Sequence, residues 1–218
     1  MLRLRGVLIF IAMAASCSAV TAADLLSFDL SQWPIAGWAD AREDRFPTFG
    51  EWAVSQQGIS NVIPSGVEER DIVAMKNGTG MASSVFVGRP ARNVTATATM
   101  SFERKGAPSI LLRAEARPEG RGYVTGKMLS LVLYEAGVNL WRFDGAKWHK
   151  AAAEKFEVEP CVFHTLKVRL EGPRAKVWLD GKAVMETDDV GLQAPGLVGL
   201  WAGEGPCHFG ALRVRMAD

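Results

Sequence analysis

Val94, Ala96, Ala98, Met100 and Phe102 alternate with Thr95, Thr97, Thr99 and Ser101, and this period of two recurs along most of the chain. Alternation of this kind predicts a long strand with one buried and one polar face. Similar runs predict strands at 108–116, 128–136, 196–203 and 208–216. Between them, 163–186 predicts two strands around Glu171-Gly172-Pro173-Arg174, followed by a tight turn at Asp180-Gly181. Shorter candidates lie at 25–30, 50–56, 71–76 and 81–88, while 31–50 is irregular and 117–126, rich in Gly and Pro, predicts a flexible loop. No segment beyond the first 22 residues keeps a helical period over ten positions. About a dozen strands with no alternation of strand and helix predict an all-β fold, an antiparallel two-sheet β-sandwich, over 23–218 as one domain.

The stretch GVNLWRFDGAKW, 137–148, is the richest in candidate chemistry. A two-residue loop at Asp144-Gly145 would make facing residues sum to 289, so that Trp141 faces Trp148 and Asn139 faces Lys150. Val138 and Leu140 are the core-facing pair, which places Asn139, Trp141, Phe143 and Trp148 on the opposite face. Aromatic faces beside polar groups suit the apolar side and the hydroxyls of a sugar. The other reading is a satellite core, with 31–50 the segment to cover it. Arg113 ends an apolar strand; it either reaches solvent beside Glu115 or Glu103, or joins Tyr134 and the 93–102 threonines on a ligand-lined sheet.

The first residues change the setting. Arg3 and Arg5, an apolar run over 7–15 and a small-residue exit at Val20-Thr21-Ala22 read as a signal peptide, 1–22, and hence a secreted or periplasmic protein. Cys17 lacks the large aliphatic residue three positions earlier that a lipid anchor needs. No later run is apolar for long enough to span a bilayer as a helix. Without Arg3 and Arg5 the chain carries 25 − 2 = 23 Lys+Arg against 24 Asp+Glu. That balance gives no electrostatic case for nucleic acid or an anionic membrane. Cys161 and Cys207, the two cysteines left, predict one disulfide closing 207 − 161 − 1 = 45 residues. Neighbouring His164 and His208 would project to the other strand faces, which argues against a metal site.

Three stretches carry a resemblance. SILLRAE at 109–115, FHTLKVRLEGPRAKVWLDGKAV at 163–184 and PGLVGLWAGEGPCHFGALRVR at 195–215 resemble the strands and closing motif of the concanavalin A-like jelly-roll group. That group includes laminin-G-like modules and exported domains labelled 3-keto-disaccharide hydrolase. The resemblance implies a jelly-roll sandwich and a carbohydrate ligand. Only Ser109 and Arg113 carry over from the exported domain's Asn-Ser-Gly strand, because Ala107-Pro108 replaces its Asn. The paired acids of jelly-roll glucanases are approached only at Glu69-Arg70-Asp71, where the second acid is missing.

His149, His164 and His208 have no Ser or Cys at motif spacing, and Asp188-Asp189 reads as a solvated turn before it reads as a calcium site. Asn77-Gly78-Thr79 and Asn93-Val94-Thr95 match the glycosylation triplet, but the first is a turn signal and the second opens a strand. The sequence thus favours an exported carbohydrate- or glycan-binding module with Trp141, Trp148, Asn139, Arg113 and Tyr134 as its contacts and no cofactor. A sugar-active hydrolase and a structural docking module are the alternatives.

Overall fold

A computed structural model describes residues 24–44, 46, 48–62, 66, 68, 82–203 and 205–217. The leader with Cys17, the 71–76 strand, Glu69-Arg70-Asp71 and Asn77 lie outside them. Seventeen strands are described: β1 (Asp24–Asp29), β2 (Trp38–Glu43), β3 (Glu51–Ser55), β4 (Gly58–Val62), β5 (Ala82–Ala91), β6 (Asn93–Phe102), β7 (Ala107–Ala114), β8 (Ala116–Glu119) and β9 (Gly122–Thr125) come first. They are followed by β10 (Met128–Tyr134), β11 (Gly137–Phe143), β12 (Trp148–Lys155), β13 (His164–Glu171), β14 (Arg174–Leu179), β15 (Lys182–Thr187), β16 (Gly196–Gly203) and β17 (Cys207–Ala217). One sheet runs β15-β14-β13-β6-β17-β4-β3, with β1 also on β17; the other runs β12-β11-β10-β7-β16-β5-β2-β9-β8. Every pairing is antiparallel except β2 with β9.

The alternation in β6 does what its period dictates. Val94, Ala96, Ala98, Met100 and Phe102 are all buried, 3 % exposed or less. They meet the inward residues of the second sheet, among them Ile110, Leu112, Leu129, Leu131, Leu133, Val138 and Leu140, in one core. Asn93 opens β6, and its side-chain oxygen accepts the Gly172 N–H at 2.9 Å. Two expectations fail locally. The 117–126 stretch is no loop, because Tyr123, Val124 and Thr125 find partners on β2 and fold back on β8 as a hairpin. The irregular 31–50 segment contains β2, whose Trp38 packs edge-on against Phe28 and Trp33 at ring distances of 5.3 and 5.7 Å.

The expected disulfide is absent: Cys161 and Cys207 are not joined. Cys207 pairs with Phe102 on one side of β6, whereas the Cys161 N–H bonds to the Phe102 carbonyl at 2.8 Å, and its neighbour β13 lies on the other side of β6. Two strand spacings, about 10 Å, separate such positions, beyond the roughly 4.4–6.8 Å that a disulfide spans between Cα atoms. Cys161 is exposed and Cys207 buried. A maleimide added to the native protein is therefore expected to label Cys161 alone, with Cys207 labelled only after denaturation; intact mass reads the count.

Candidate functional site

The hairpin at 137–148 forms, but its register differs from the expected one. Phe143 faces Trp148 and Trp141 faces Lys150, so facing residues sum to 291 and not 289, and a bulge after Leu140 shifts the sum again. The tight turn is centred one residue later than expected, on Gly145-Ala146, because the Asp144 N–H reaches the Lys147 carbonyl at 3.1 Å. Asp144 Oδ1 in turn accepts the N–H groups of Ala146 and Lys147, each at 2.8 Å. Asp180-Gly181, the same dipeptide, does form the two-residue loop, with both φ angles positive and Leu179 facing Lys182. A shift of two in the sum changes partners but not faces. Val138 and Leu140 accordingly lie in the core, and Trp148 still shares the outer face with Trp141 and Phe143.

Trp141 and Trp148 therefore do not form a cross-strand pair. The Trp148 ring packs on Phe143 at 5.0 Å and on Trp201 of β16 at 5.4 Å, both tilted by about 35°. The Lys150 ammonium lies over the Trp141 ring at 4.8 Å, so that one face of Trp141 is already used. The outer aromatic group is half covered. Phe143 is buried together with Met128, Leu111 and Ala41, while Trp148, Trp201 and Tyr123 pack on this group and stay partly exposed.

Beside Trp201 the outer face opens into a cleft lined by Ala41, Glu43, Phe46, Thr48 and Met128. It encloses about 320 Å³ with its mouth, but its closed part holds no more than one water. Glu43 is the feature that sequence reasoning missed: it is 4 % exposed and in phase with Ala41 on β2. Its signal was the alternation of WADARE, 38–43, in which an acid occupies the face of two alanines. Asp40 projects to the other face of β2, where burial raises its carboxyl pKa against the pull of Arg121. β2 thus gives the cleft one carboxylate.

Arg113 is placed neither in solvent nor on a ligand surface. It is 1 % exposed and has a positive φ of 51°. Its guanidinium donates to the carbonyls of Arg92 at 2.8 Å, Gly172 at 2.7 Å, and Leu192. Burial, helped by the charge of Arg92, brings its pKa down to about 10, still high enough to keep it charged at neutral pH. Tyr134 ends β10 on the outer face, whereas Arg113 lies past the Leu112/Leu129 pair. About six residue steps, roughly 20 Å, separate their rows, so the two are not brought together. Asn139 is on the outer face as expected but 9 % exposed.

The histidines have local partners. His149 Nε2 meets Asp144 Oδ2 at 2.7 Å and His164 Nδ1 meets Asp180 Oδ2 at 2.8 Å. His208 Nδ1 meets Ser60 Oγ at 2.6 Å on the outer face of the other sheet. Asp189 Oδ1 accepts the Gly191 N–H at 2.7 Å, closing a turn. No group of three or more His, Cys, Asp or Glu side chains that could hold a metal converges among the described residues, and no helix there is long and apolar enough to cross a membrane.

The hairpin turn carries a pH dependence. The N–H groups of Lys147 and Ala146, then His149, hold the Asp144 carboxyl well below the usual carboxylate range. A depressed folded-state pKa stabilises the fold fully above the unfolded value of about 4, and this stabilisation fades as pH falls further. The melting-temperature difference between the protein and its Asp144→Asn variant is expected to be constant from pH 7 to 5 and to shrink below pH 4. A constant difference down to pH 2 would contradict the assignment.

Comparison with solved structures places this geometry in a known architecture. A carbohydrate binding module, CBM66, from Bacillus subtilis is 16 % identical, with a TM-score of 0.58 over 81 % of this chain and 93 % of that one. A β-glucanase from Bacillus licheniformis gives 9 %, 0.59, 90 % and 99 %. A protein of unknown function with a galectin-like fold, from Bacillus subtilis, gives 13 %, 0.64, 90 % and 96 %. At these identities the likeness is one of fold, the jelly-roll sandwich. No curated protein matches the sequence. The model of one family matches residues 27–215, almost the whole described sandwich, and the chain accordingly belongs to the 3-keto-alpha-glucoside-1,2-lyase-like domains.

Proposed function

We propose that this chain is an exported glycan-binding module that holds a sugar on the outer face of its nine-stranded sheet. The observation that carries the reading is Trp201, partly exposed in the lining of the cleft that contains Glu43, with the partly exposed Trp148 ring packed on it at 5.4 Å. Flat indole faces take the apolar side of a sugar ring, and Glu43 and Thr48 offer acceptors to its hydroxyls. The apolar leader supports export. The carbohydrate-binding, galectin-like and glucanase folds among its structural neighbours agree with a glycan ligand.

Glu43 favours a second reading, an enzyme acting on a 3-keto-glucoside at the same cleft. A buried carboxylate suits the removal of the C2 proton beside the ketone. The C–H electron pair becomes the C1=C2 double bond, and the C1 substituent leaves with the pair of its C–O bond. One experiment separates the two: a glycan array, and incubation with a 3-keto-disaccharide followed by enone absorbance, each on the mature protein and on Glu43→Gln. A binding module retains glycans in both forms and releases the keto sugar unchanged. Turnover lost in Glu43→Gln would establish the enzyme, and neither binding nor turnover would overturn both readings.

A further inference from the structure

Two polar groups are buried without partners on the outer face, next to the aromatic side chains. Ser130 is 1 % exposed and Asn139 9 %, and neither Ser130 Oγ nor Asn139 Oδ1 has a hydrogen-bond partner. They are diagonal neighbours: Ser130 faces Trp141 while Asn139, two residues before Trp141, faces Val132. Across the other ladder Ser130 faces Leu111, a member of the apolar group on which Trp148 and Trp201 pack. A sheet's outer face does not bury a serine by itself, so large side chains roof it: Trp141 stands directly across from Ser130, and Trp148 and Trp201 pack on the apolar group that includes Leu111. An unpartnered buried acceptor is a standing cost, which alanine or leucine at the same positions would not incur.

We propose that Ser130 and Asn139 are the polar floor of a sugar subsite that the Trp148–Trp201 pair closes in the free protein and that an entering sugar opens. The subsite deepens, and rests on, the glycan-binding reading. Its chemistry selects a neutral ring. Asn139 Oδ1 only accepts, and the Ser130 hydroxyl both donates and accepts; a sugar hydroxyl can answer both, whereas a carboxylate or sulfate would set a further acceptor against Asn139 Oδ1. The nearby cations do not compensate, since the Lys150 ammonium sits over Trp141 and Arg113 is held by three carbonyls.

The test compares the mature protein with Ser130→Ala, Asn139→Leu and Trp148→Ala. Melting temperature is read without ligand, and binding by calorimetry with trehalose, sucrose, maltose, cellobiose and digalacturonate. The expected result is that Ser130→Ala and Asn139→Leu melt no lower than the parent yet bind the preferred neutral disaccharide at least tenfold more weakly. A melting temperature lowered by several degrees in Ser130→Ala would mean that the hydroxyl holds a structural water only, and would overturn the subsite. Unchanged binding in both floor variants, with binding lost in Trp148→Ala, would overturn the subsite and leave the aromatic platform standing. Preference for digalacturonate would overturn the neutral class. A parent that binds none of the five would overturn the subsite along with the reading beneath it.

Discussion

Arg113→Met is expected to lower stability by about 3–5 kcal/mol, the largest effect of any single change considered. Three turns that are distant in sequence, at Arg92, Gly172 and Leu192, direct carbonyls at one buried guanidinium. Each carbonyl left without a donor costs about 1–3 kcal/mol, less where water can enter, and such effects are not additive. Against a total stability of about 5–15 kcal/mol, the loss lowers the melting temperature by on the order of 10 °C. Arg113→Lys keeps the charge and most of the stem but replaces a planar fork with a point donor, so it recovers only part of the loss. Chemical denaturation of the three proteins checks the order parent, Lys, Met. A Met variant within 1 kcal/mol of the parent would show that the three carbonyls do not depend on this side chain. Its neighbour Gly196 is bound to the same place, because a Cβ there would come within 2.3 Å of the Arg113 carbonyl carbon.

For ligand binding the largest contrast lies among the tryptophans. Trp148→Ala and Trp201→Ala are each expected to weaken glycan binding ten- to a hundredfold, the equivalent of about 1.4–2.7 kcal/mol, in the range of aromatic anchors at binding surfaces. Trp141→Ala is expected to change it less than threefold, since Lys150 already occupies a face of that ring. Because Trp148 packs on both Phe143 and Trp201, each variant needs a near-ultraviolet dichroism spectrum to show that the remaining rings keep their packing. Calorimetric titration with the glycan found on the array gives the affinities. Loss in Trp141→Ala with binding retained in Trp148→Ala would return the platform to the position that the simple hairpin register suggested.

The contrast between the two Asp-Gly turns shows where local rules end. At Asp180-Gly181 the dipeptide takes both left-handed positions and the register follows. At Asp144-Gly145 the aspartate instead caps the turn with its side chain, and the loop moves on by one residue. Both outcomes are chemically available to Asp-Gly, and the flanking ladder chooses between them. Faces were legible all the same. The buried side of β6, the inward pair Val138 and Leu140, and the outward position of Trp141, Phe143 and Trp148 all follow from alternation, which a two-residue change in register leaves intact.

Period and composition alone determined that this chain is an antiparallel sandwich, which strands are half-buried and which face of the 137–148 hairpin looks outward, because a strand's pleat ties each side chain's direction to its neighbour two residues away. Pairing over long separations decided the rest. Trp148 meets Trp201, Arg113 meets carbonyls 21, 59 and 79 residues away, and Cys161 and Cys207 are held on opposite sides of β6. None of these meetings has a local signature, since strand order in a sheet is fixed by the packing of the whole core. The Glu43 carboxylate stands between the two cases: its phase was written in β2, but only the closure of the sheet around it made it part of a cleft.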